Sequence, residues 1–176
     1  MKAFSYCVVS VVLVFLATVL FAHSQSVDLP NFHKVNGGLY RGGQPKEDGF
    51  AQLQKMGIKT VIDLRSDSED SLKEQRLVEK AGMRFINLPL GNWSRPDPQQ
   101  IDRILAKIDD PKNQPVFVHC RRGSDRTGTV IAIYRMTHDG WNPNRARDEA
   151  ETFGLGWWQF GMRDFISDYY RDNIKK

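Results

Sequence analysis

A short apolar strand, Pro115–His119 (PVFVH), runs directly into the polar stretch Cys120-Arg121-Arg122-Gly123-Ser124-Asp125-Arg126-Thr127-Gly128, and an apolar helical segment, Thr129–Met136, follows at once. A strand without polar alternation belongs at the centre of a parallel sheet, where both of its faces are covered. A polar, glycine-containing loop between such a strand and a helix start sits at the carboxyl end of the sheet, where open α/β folds bind ligands. This one junction restricts the chain to a sheet flanked by helices, with the loop on its functional edge.

The flanking pattern agrees. Phe32–Tyr40 reads as a strand and turn, and Pro45 opens a helix with Phe50, Leu53 and Met56 inward, stopped by Gly57. Ile58–Leu64 (IKTVIDL) is β-branched and reads as a strand. Glu69–Ala81 reads as an amphipathic helix with Leu72, Leu77 and Val78 inward, and Met83–Leu90 as another strand. Asp97-Pro98 begins a helix with the stripe Ile101, Ile104, Leu105 and Ile108. Pro143 starts the next helix, and Trp157–Tyr170 packs a last one. Strands alternating with helices predict an α/β fold: a single three-layer domain with a mostly parallel central sheet.

Residues Phe4 to Ala22 are apolar and uncharged, with Lys2 before them and small residues at Ala22 and Ser24. Met1–Ser24 reads as a secretory signal removed near Gln25, leaving a domain over residues 25–176; the alternative is an uncleaved membrane anchor. Either reading makes the folded part exported, periplasmic or secreted. Of the two cysteines, Cys7 lies in this leader, so the mature domain keeps Cys120 alone and forms no internal disulfide. The formal charge of +4 falls to about +3 without Lys2, which suits anionic ligands and is too weak to argue for nucleic acid.

The loop chemistry follows from residue types. Five residues separate Cys120 from Arg126. Backbone N–H groups from such a loop converge on an anion, Gly123 permits the tight turn, and the helix N-terminus adds partial positive charge. Arg126 offers a planar fork for two phosphate oxygens. The same field lowers the Cys120 thiol from its usual value of about 8.5 toward neutrality or below. Thr127 can donate to the sulfur, and Arg121, Arg122, Gly123 and Ser124 complete the phosphate-binding set. His119 is expected to point away from the ligand and orient the loop. A buried, inert cysteine is the bland alternative, poorly matched to three neighbouring arginines. Arg121 and Arg122 are equally readable as solvated surface charges.

HCRRGSDRTG matches His-Cys-x5-Arg-Ser/Thr and so resembles the protein tyrosine phosphatase superfamily. With NFHKVNGGLYRGGQP and IKTVIDLR it looks like the small atypical dual-specificity phosphatases. The resemblance implies phosphomonoester hydrolysis through a cysteinyl-phosphate, without cofactor or metal, and a general acid. It implies as substrate a phosphorylated protein, on tyrosine, serine or threonine, or an inositol phosphate. The protein is expected to be a monomer that meets a membrane only if its N-terminal segment is retained.

Two aspartates compete for the acid. Asp97 lies on the loop after the strand that ends at Leu90, yet Asp97-Pro98 with Gln100 also spells a helix cap. Asp125 precedes the loop arginine, as in myotubularins and some bacterial phosphatases, yet it is readable as a brace for Arg122. Arg41, Gln44, Asp63 and Arg65 match family positions that support the loop. Trp93 is either a pocket wall or a packed anchor, whereas Trp157, Trp158 and Phe160 read as core or helix staple. His23, His33 and His138 lack metal-ligand spacing. A rhodanese-like sulfurtransferase normally lacks the Arg-Thr pair, and a silent phosphate-binding module would need a damaged loop.

Overall fold

The computed structural model describes residues 28–66 and 69–175; the leader expected over Met1–Ser24 lies outside them. Five strands form one sheet: β1 (His33–Lys34), β2 (Leu39–Gly43), β3 (Thr60–Asp63), β4 (Arg84–Asn87) and β5 (Val116–Cys120), in the order β1-β2-β5-β3-β4. Only β1 pairs antiparallel; β2, β5, β3 and β4 run parallel. The strand that ends in Cys120 is central, as its apolar sequence requires.

Alternation along β5 divides the core. Val116, Val118 and Cys120 face one layer, with Ile62 and Leu64, against helices α3 (Pro98–Asp109), α4 (Asp125–His138), α5 (Pro143–Thr152) and α6 (Phe160–Tyr169). Phe117 and Val61 face the other, against α1 (Glu47–Lys55) and α2 (Glu69–Lys80). Three layers result, with apolar burial on both faces of the sheet. The α3 stripe is buried as the periodicity predicts, each side chain contributing roughly 1.5–3 kcal/mol.

Four local expectations need correction. Met56, expected inward with Phe50 and Leu53, sits at the C-cap of α1 and is exposed, because the apolar spacing of three drifts off the buried face at the helix end. Phe32–Tyr40 is two short strands joined by a turn in which the Gly38 N–H donates to the Asn36 side chain at 2.8 Å, and β2 continues through Arg41 to Gly43. Helix α4 begins at Asp125, four residues before the apolar run, because its first polar turn is also the end of the loop. Leu72 is not inward but 51% exposed. Ser71 and Glu74 take the inward face of α2 with Val78, because they complete a polar cluster under the sheet.

Candidate active site

Register places the site. Gly43 of β2 lies opposite Cys120, and Asp63 of β3 lies opposite His119, so three strand ends meet at the loop. Cys120 is 3% exposed and points to the α4 side, while His119 points to the α2 side, as alternation requires.

The loop is held from behind, one carbonyl at a time. His119 Nδ1 is 3.2 Å from the carbonyl oxygen of Cys120. The Gln44 N–H donates to that of Arg121 at 3.2 Å, Asn31 Nδ2 to that of Arg122 at 3.4 Å, and Arg41 Nη2 to that of Gly123 at 2.8 Å. In a trans peptide the next N–H points opposite to the carbonyl. Fixing four successive carbonyls outward turns the N–H groups of residues 121–124 inward, into one anion-binding concavity beside the start of α4. Gly123 has φ +75°, and a Cβ there would sit 2.4 Å from the Gly42 carbonyl carbon, so no other residue fits.

Burial alone would raise the Cys120 thiol. The Thr127 hydroxyl and N–H, then the Arg126 guanidinium and the Gly123 N–H, outweigh burial and hold the thiol below its ordinary value. Among the described residues the buried Thr127 hydroxyl makes no formed hydrogen bond, so its proton is free to turn to the sulfur, whose thiolate it favours. Arg126 is 8% exposed and is tethered by a long contact, 3.4 Å, from Nη1 to the Leu64 carbonyl.

Cys120 opens into a cleft of about 420 Å³ whose floor also includes Ser124 and Arg126. Arg121 and Arg122 flank it, and Asn92, Trp93 and Trp158 form its wall. The pocket-wall reading of Trp93 fits this placement. Trp157, Trp158 and Phe160 are neither core nor staple: they are exposed, and Trp158 faces the cleft. Gln159 is the buried member of that segment; its side chain donates to the Asn92 carbonyl at 3.2 Å and joins the two wall loops.

The aspartates separate. Asp97 is exposed and caps α3: its carboxylate accepts from the Gln99 N–H at 2.9 Å, and the Gln100 side chain accepts from the Asp97 N–H at 3.2 Å. It is not among the residues that line the cleft. Asp125 does line it, buried, with Oδ2 at 2.5 Å from Arg122 Nη2 and Oδ1 accepting from the Gly156 N–H at 3.0 Å. Of the supporting residues, Arg41 and Gln44 brace the loop directly. Asp63 and Arg65 instead join Glu74, Ser71 and His119 in a buried cluster on the opposite face. Three donor atoms of that cluster, from Asp63, Glu74 and His119, lie within 4.8 Å of one another. The cation there is the Arg65 guanidinium, which contacts both carboxylates.

Asn31 and Glu74 were not singled out from sequence, and Trp158 was read as core or staple rather than as part of the cleft. The Trp157-Trp158 doublet between Gly156 and Gln159 was the one available signal, since paired tryptophans in a glycine-flanked loop are seldom both buried.

A family model described as a DSP-PTPase phosphatase fused to NAD+ kinase matches residues 15–161. The chain is 30% identical over 137 residues to the dual specificity protein phosphatase TpbA of Pseudomonas aeruginosa, covering 77% of this chain and 60% of that one. It is 27% identical over 146 residues to the inositol diphosphatase DSP5 of Arabidopsis thaliana, covering 80% and 70%. The crystal structure of the core catalytic domain of the PP-IP phosphatase SIW14 from S. cerevisiae is similar with a TM-score of 0.71 at 25% identity, over 85% of this chain and 91% of that one.

Proposed function

Since the chain belongs to the dual-specificity type of the protein tyrosine phosphatase superfamily, we propose that Cys120 is the nucleophile of a phosphomonoesterase and that its preferred substrate is an aryl phosphate, such as phosphotyrosine in a protein. The Cys120 thiolate attacks phosphorus, forming an S–P bond as the bond to the leaving oxygen breaks. The N–H groups of residues 121–124 and the Arg126 fork take up the charge on the equatorial oxygens. The leaving oxygen receives a proton, and water then cleaves the S–P bond, returning the thiolate and releasing inorganic phosphate.

Asp125 is the proton donor in this reading, because it is the carboxylate that lines the cleft. An incoming phosphate dianion competes for the Arg122 guanidinium, 2.5 Å from Asp125 Oδ2, and so releases the carboxyl toward the leaving oxygen.

The observation that carries the substrate assignment is the pair of tryptophans, Trp93 and Trp158, that line the same cleft as Cys120. Indole faces favour an aromatic leaving group over a polyhydroxylated ring. A second reading, an inositol phosphate, is supported by Arg121 and Arg122 at the same cleft. A panel of phosphotyrosyl and phosphoseryl peptides and inositol polyphosphates, with Cys120→Ser alongside, tests both. Phosphate release chiefly from phosphotyrosyl peptides supports the aryl reading, and turnover only of inositol phosphates overturns it. The apolar segment from Phe4 to Ala22 supports action outside the cytoplasm. N-terminal sequencing of the protein recovered from its native host tests cleavage near Gln25.

A further inference from the structure

Behind the nucleophile, four ionisable side chains are closed off from water: Asp63, Arg65, Glu74 and His119. Arg65 Nη2 lies 2.8 Å from Asp63 Oδ2 and 2.6 Å from Glu74 Oε2, and the Ser71 hydroxyl donates to Asp63 Oδ2 at 3.1 Å. His119 Nε2 is 2.7 Å from Glu74 Oε1 and 3.9 Å from Asp63 Oδ1. The 2.7 Å approach is within hydrogen-bond distance, but the ring N–H direction is out of line with the oxygen. The other ring nitrogen, Nδ1, is 3.2 Å from the Cys120 carbonyl oxygen, and Phe117 stacks on the ring at 5.5 Å.

Two independent counts give one protonation state. A carbonyl oxygen and a carboxylate are both acceptors only, and His119 places one ring nitrogen against each. A neutral imidazole carries a single N–H and would set a bare nitrogen lone pair against one of these two oxygens, whereas the imidazolium turns an N–H toward each. Charge gives the same answer. Two buried carboxylates against one guanidinium leave a negative charge uncompensated, at high cost in a dry interior. The imidazolium closes that balance.

We propose that Glu74 is a positioning residue for the reaction: it holds His119 as an imidazolium, and His119 in turn holds the Cys120 carbonyl away from the cleft, which aims the Arg121 N–H at the phosphate and favours the thiolate. This rests on Cys120 being the nucleophile. Glu74 touches neither sulfur nor substrate; it acts from α2, on the far side of the sheet.

Two readouts without substrate test it. In wild-type protein at about pH 8, nitrogen NMR should show both His119 ring nitrogens protonated, although a free imidazole is neutral there. In Glu74→Gln, one ring nitrogen should be deprotonated under the same conditions. The midpoint of the pH dependence of Cys120 alkylation by iodoacetamide should move up by about one pH unit, with Glu74→Asp restoring part of the shift. A neutral His119 in the wild type overturns the proposal even if the variant fails to fold. So does an unchanged alkylation midpoint in folded Glu74→Gln. Hydrolysis of phosphate esters is scored separately, so failure of the catalytic reading is distinguishable from failure of this one.

Discussion

Arg41 reaches beneath the phosphate loop from β2 and donates from Nη2 to the carbonyl oxygen of Gly123 at 2.8 Å. The guanidinium is 1% exposed and stacks on Phe153 at 4.2 Å, and burial pushes its pKa down to about 10. Among the described residues its Nε and Nη1 have no acceptor. A buried cation with idle donors is poorly explained by stability, since such groups cost more than they return. It is well explained by the loop, whose fourth inward N–H, that of Ser124, and whose glycine turn it fixes.

Arg41→Met should therefore separate activity from stability. Removing the idle donors offsets the orphaned Gly123 carbonyl, and the unfolding free energy from urea titration should change by no more than about 1 kcal/mol. Loss of loop geometry should lower kcat/KM on an aryl phosphate by about tenfold to a hundredfold. A variant that unfolds while its residual native fraction keeps full activity would assign Arg41 to structure alone.

The two aspartates give opposite signatures. Asp125→Asn should reduce kcat on an alkyl phosphate by about a hundredfold, and far less on a nitrophenyl ester whose leaving group needs no proton. Asp97→Ala should cost about 1 kcal/mol of stability through loss of the α3 cap, with the aryl-to-alkyl ratio unchanged. Rates on both esters, with denaturant melts, check the pair; reversed assignments would return the acid to Asp97.

Stability should fall on both sides of a plateau. Burial alone would raise the Asp63 carboxyl, but hydrogen bonds from Arg65 and the charge of His119 hold it below 3.8. That stability is present above 3.8 and is lost as pH falls through the lower native value. Burial alone would depress His119, but Glu74 and Asp63 raise it above 6.5. Its contribution is complete below 6.5 and is lost as pH rises through the native value. Urea unfolding across pH should show the alkaline loss in wild type and not in His119→Asn.

Trp158 lines the cleft yet is 42% exposed. Trp158→Ala should change stability by less than about 0.5 kcal/mol and raise KM for a phosphotyrosyl peptide by about threefold to tenfold. Trp157→Ala, outside the cleft lining, should leave KM unchanged. Equal effects on aryl and inositol phosphates would argue against indole recognition of the leaving group.

Much of this was legible in sequence, because it is local. HCRRGSDRTG carries the nucleophile, turn glycine, guanidinium and helix start in one run, and the α3 stripe buries where its period says. The misreadings share one cause, partners distant along the chain. Leu72 looked inward because apolar periodicity says nothing of Glu74, whose partner His119 is 45 residues away. Trp158 looked like core because Trp93, which lines the same cleft, belongs to another loop. At Asp97 the cap reading and the acid reading used the same residues, and only three-dimensional placement separates them.

The most direct test of the central claim is rapid-quench mass spectrometry of the protein mixed with excess aryl phosphate in acid. One phosphoryl group should appear on the peptide containing Cys120, at a rate matching the burst of released phenol, and should be absent from Cys120→Ser. Phosphate release without that adduct, or turnover that survives in Cys120→Ser, would contradict a sulfur nucleophile in this loop.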